Sequence, residues 1–166
     1  MGVAEKIGEV RVKLAEALAL RADATRRVEQ LRTRIVANAR FQEGEEPSED
    51  AAALLAEAGA VLDELEDLIR RINRTNAATR IGPEGTITDA LARRDVLRAR
   101  HSVVTAAADA AAGRGQGMGR QLRSELKILT ALPVAQLRSQ ADDLARQLRE
   151  TDVRIQQANW QFDLLE

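Results

Sequence analysis

In the C-terminal part of the chain, Leu137, Ala141, Leu144, Leu148, Thr151, Ile155, Ala158 and Phe162 follow one another at alternating spacings of four and three. Only a helix returns side chains to one face at that interval. A stripe that holds its register over several heptads also needs a second helix to cover it. Shorter versions of the pattern fill the rest of the sequence. Ile7, Leu14, Leu18, Val28, Leu31 and Ile35 mark a helix from about Val3 to Phe41. A second, from about Glu49 to Asn76, carries Leu54/Leu55, Ala58, Val61/Leu62, Leu65, Leu68/Ile69 and Ile72. A third, running to about Ala112, sets Leu91, Leu97, His101, Val104 and Ala108 on one side. The fold class that follows is mainly α, with long antiparallel helices in a bundle or coiled-coil arrangement.

The breaks between the stripes define the connections. Gln42-Glu43-Gly44-Glu45-Glu46-Pro47 ends the first helix, and Ser48 is placed to cap the second, with Glu49 and Asp50 at the positive end of its dipole. Gly82-Pro83-Glu84-Gly85 is a turn, and a small β-hairpin over 79–87 is expected around it. Thr86-Ile87-Thr88-Asp89 has capping-box spacing and opens the third helix. Gly113 to Arg120 reads as a flexible Gly-rich loop, and 126–130 as a short strand. Pro133 suits the first turn of the last helix.

Composition narrows the class of function. Alanine supplies much of the 45% hydrophobic content, and Phe41, Trp160 and Phe162 are the only aromatic residues, so the core is thin. A net charge of −1, with arginines interspersed among acids, excludes the basic excess of a dedicated nucleic-acid binder. Without cysteine there is no disulfide, thiol nucleophile or thiolate metal site, which fits a cytoplasmic location. No run approaches the length of a membrane span, and the first residues lack the apolar core of a signal peptide.

Length argues for assembly. A first helix of about 35 residues would be roughly 50 Å long, whereas a compact domain of this size is about 40 Å across. The stripe in the overhang, at Ile7, would need cover from another copy of the chain.

Few residues suggest chemistry. His101, the only histidine, lies on an apolar stripe, where a hydrogen-bonded packing role is the ordinary expectation. The sharper reading makes it a metal ligand or general base beside Asp95 or Glu125. One histidine cannot build a multi-histidine site unless symmetry multiplies it. The run Asn73-Arg74-Thr75-Asn76, with Arg80 beyond it, follows a strongly apolar helix. It reads first as helix-end capping, and alternatively as a polar pocket for a carboxylate or phosphate. The Gly-rich segment lacks Gly-Lys-Ser/Thr and is no phosphate loop. Glu43, Glu45, Glu46, Glu49 and Asp50 do not match a calcium loop. No catalytic residue is assigned and no cofactor is expected.

Several blocks together resemble a family. These are Val12-Lys13-Leu14-Ala15-Glu16-Ala17-Leu18, Gln42-Glu43-Gly44-Glu45, Arg71-Ile72-Asn73-Arg74-Thr75-Asn76, Thr88-Asp89-Ala90-Leu91-Ala92 with Arg94-Asp95, Arg123-Ser124-Glu125-Leu126-Lys127 and Ala158-Asn159-Trp160. In this order they resemble the septicolysin family of small bacterial helical proteins of unknown function. The resemblance covers roughly Val12 to Trp160. It implies an α-helical homo-oligomer, a hexamer built from dimers, and marks residues 1–11 as an N-terminal extension to a helical domain over 12–166. It draws attention to Asn73, Thr75, Asn76, Asp95, Ser124, Glu125 and Lys127, which lie inside its blocks. The family name also implies cytolysis, although the sequence offers no aromatic membrane anchor.

Three expectations of function follow. The first is a cytoplasmic, self-assembling helical protein without catalysis. The second is a ligand- or metal-dependent activity at a subunit junction, using His101, Ser124, Glu125, Lys127 and the Asn73–Asn76 turn. The third is membrane activity.

Overall fold

The computed structural model describes residues 11–114 and 129–166. Four α-helices form among them: α1 (Leu14–Asn38), α2 (Ala51–Ala78), α3 (Ile87–Ala111) and α4 (Val134–Gln161). The mainly α class holds, and no β-strand forms among the described residues. The chain divides into two compact units. One runs up to Arg80 and includes Gln157–Glu166; the other spans Ile81–Gln156, so the division falls within α4.

In the first unit α1 and α2 form an antiparallel hairpin. Leu31, Leu54, Ala58 and Val61 make its buried centre, with Ala24, Val28 and Ile35 packed against them. Apart from Ala24 these are positions of the predicted stripes, brought together because the two facing sides are apolar. Ion pairs hold the register from outside. Arg27 bonds Glu57 at 2.7 Å, and Arg34 grips both carboxylate oxygens of Glu49, its Nε at 3.1 and 3.0 Å. The fork geometry keeps the Glu49 carboxyl below its ordinary range, chiefly through its hydrogen bonds to Arg34, and raises the Arg34 guanidinium for the same reason.

Helix α1 is shorter than its sequence suggests. It begins at Leu14 because residues 11–13 are extended, with Val12 and Leu14 bonded to the far end of the chain. Its 25 residues span about 38 Å, so the overhang argument for assembly no longer holds. Ile7 lies outside the described residues.

The connection to α2 also corrects an expectation. Asp50 is the N-cap, accepting hydrogen bonds from the N–H groups of Ala52 (2.9 Å) and Ala53 (3.2 Å). Ser48 instead donates its hydroxyl to Asn38 Oδ1 at 2.9 Å, and that oxygen also accepts from the Glu49 N–H at 3.1 Å. Asn38 therefore joins the end of α1 to the approach of α2. Between them Gly44 takes a φ of 89°, the left-handed conformation the turn requires.

In the second unit the hairpin expected over 79–87 is replaced by a 3-10 turn at Gly82–Glu84. Ile81 donates its N–H to the Gly85 carbonyl at 2.7 Å. Pro83 has no N–H for a ladder, and Thr86 is already the N-cap of α3, so no residues remain for a second strand. The capping box forms as expected: Thr86 N–H donates to Asp89 Oδ2 (2.8 Å) and Asp89 N–H to the Thr86 hydroxyl (3.3 Å). Helix α3 turns Leu97 and Ala108 fully inward and Leu91, His101 and Val104 partly so. It ends in a Schellman arrangement, with Gly113 at φ 73° donating to Ala110 O and Arg114 N–H donating to Asp109 O. The rest of the Gly-rich loop, 115–120, lies outside the described residues.

Of the strand expected at 126–130, only Leu129 and Thr130 are described, and neither is in a strand. Pro133 immediately precedes α4, its carbonyl accepting from Leu137 N–H at 3.1 Å. Every position of the heptad from Leu137 to Phe162 is buried or half-buried.

Candidate functional site

The polar run at the end of α2 clamps a short C-terminal strap, Phe162–Glu166. Thr75 is completely buried. Its hydroxyl donates to the Arg71 carbonyl at 2.8 Å, one turn back, and accepts the backbone N–H of Leu165 at 2.9 Å. Arg71 donates from Nε to the Leu165 carbonyl at 3.2 Å, and Arg74 donates to the backbone oxygen of Glu166 at 2.9 Å. Residues 71, 74 and 75 share one side of a helix, because positions three and four apart are neighbours on its surface.

The start of α1 holds the other edge of the strap. Leu14 N–H donates to Phe162 O at 3.0 Å and Leu164 N–H to Val12 O at 2.8 Å, a minimal antiparallel ladder around Lys13 and Asp163. The Lys13 ammonium lies 2.6 Å from Asp163 Oδ1 and donates to the Gln161 carbonyl at 3.2 Å. Buried Leu164 anchors the strap. The arrangement satisfies backbone groups that would otherwise be lost at a helix end, and it ties the two ends of the unit together.

The sequence candidates therefore separate. Arg74 and Thr75 belong to the clamp. Asn73 is exposed and Asn76 half-buried, and Arg80 is exposed. Asp95 and His101 lie in the other unit. Asp95 is exposed and paired with arginines of its own helix, Arg94 at 3.2 Å and Arg98 at 3.5 Å. His101 is half-buried on α3. Ser124, Glu125 and Lys127 lie outside the described residues. Among the described residues no three His, Asp or Glu side chains gather where they could hold a metal ion.

Sequence reasoning missed Lys13, Arg71 and Asp163 as parts of the clamp. Lys13 and Gln161 are 148 positions apart, and no local spacing announces such a contact.

An all-α chain with an α1/α2 hairpin closed by a C-terminal strap is the class of protein the geometry defines. Residues 21–164 match the family of unknown function DUF6847, and the chain belongs to that family. It is also similar to a solved structure, that of a functionally unknown conserved protein from Corynebacterium diphtheriae. The two are 37% identical with a TM-score of 0.83, over 93% of this chain and 99% of the other. No curated protein matches. These findings overturn the septicolysin resemblance: the family to which the chain belongs is a different one. The cytolytic reading and the hexamer of dimers, which rested on that resemblance, lose their basis with it. No helix among the described residues is long and apolar enough to cross a membrane.

Proposed function

We propose that the protein is a self-assembling helical protein of the cytoplasm, whose seam for a second copy is the outer face of α2 and which performs no catalysis. The carrying observation is a line of apolar side chains left in solvent. Leu55, Leu62 and Ile69 stand seven residues apart on α2 and are 63%, 48% and 37% exposed. Seven-residue spacing along a helix is the geometry of a coiled-coil seam, and apolar groups aligned on a surface mark interaction sites more often than scattered ones do. Ala52 and Gly59 lie on the same side and allow close approach of another helix. The polar run at the end of α2 supports a structural reading, because Arg74 and Thr75 already bond the strap. Light scattering coupled to size-exclusion chromatography tests the proposal: the parent chain should elute as an oligomer, and Leu62→Glu should lower its mass.

A second reading, a ligand bound beside His101, is favoured by one observation. The Thr105 hydroxyl, one turn further along α3, is buried with no hydrogen-bond partner among the described residues. Native mass spectrometry of protein purified without chelator tests this reading. A mass excess that His101→Ala removes would support it, and the bare polypeptide mass would end it.

A further inference from the structure

No further inference is drawn: the strongest candidate, the open apolar groove between α1 and α2 formed by Leu20, Ala24, Val61 and Leu68, carries none, because nothing in the structure shows what covers it.

Discussion

The backbone N–H of Leu165 donates to the hydroxyl of Thr75, 90 residues earlier, at 2.9 Å. Thr75 is wholly buried, so this bond holds the strap against α2. Replacing Thr75 by valine keeps the shape and removes the acceptor of the Leu165 N–H. We expect Thr75→Val to cost about 1 kcal/mol, the net worth of one hydrogen bond, and Thr75→Ser to keep the bond. Urea unfolding of the three proteins measures the difference. Equal stability of the valine variant and the parent would show that the strap does not depend on this bond.

Leu31 is almost fully buried at the centre of the hairpin, against Leu54, Ala58 and Val61. Its neighbours are small or lie on rigid helices and cannot collapse into a vacancy. Leu31→Ala should destabilise the fold by about 2–5 kcal/mol, whereas Leu55→Ala, on the exposed line, should change monomer stability little. Chemical denaturation at a protein concentration low enough to exclude association separates the two.

Much of this was legible from spacing alone. The last helix needed only its alternation of threes and fours, and each of its stripe positions is turned inward. The Thr86–Asp89 box was equally plain, because its two partners are three residues apart. The failures share one cause. Lys13 looked like the interior of a helix because its neighbours are good helix formers; the helix starts after it because Val12 and Leu14 bond the strap, a contact with no local signature. Ser48 looked like the cap because serine favours that position, yet Asn38 on another helix takes its hydroxyl and leaves the role to Asp50. Arg74 and Thr75 were visible as an unusual polar group, but their partners could not be read from the sequence.

Glu49 gives a pH dependence of known sign. Arg34 holds its carboxyl below the ordinary glutamate range in the folded chain, so between that depressed value and about 4.3 the unfolded chain binds more protons than the folded one. The contribution of the pair is therefore complete above the ordinary range, declines as pH falls through it, and is gone below the folded value. Glu49→Gln should flatten the stability profile across that acid window and leave the profile above it parallel to the parent's. Thermal melts in a buffer series read this directly. An unchanged acid limb would remove Glu49 as a contributor.

Gly85 has a φ of 105°, and a Cβ there would lie 2.6 Å from Asp89 Oδ2. Gly85→Ala should therefore strain the backbone and displace the capping carboxylate together, at about 1–3 kcal/mol. If strain alone acts, Asp89→Ala in the same background should add the usual loss of a cap, about 1 kcal/mol. If the carboxylate has already been displaced, it should add little. The double-mutant cycle by urea unfolding distinguishes the two.

Self-association through the outer line of α2 is tested most directly by native mass spectrometry of the parent chain and of Leu62→Glu at matched concentration. The account predicts an oligomer for the parent and a shift toward monomer for the variant, with helical content by circular dichroism preserved. A monomeric parent, or an oligomer that Leu62→Glu leaves intact, would contradict it.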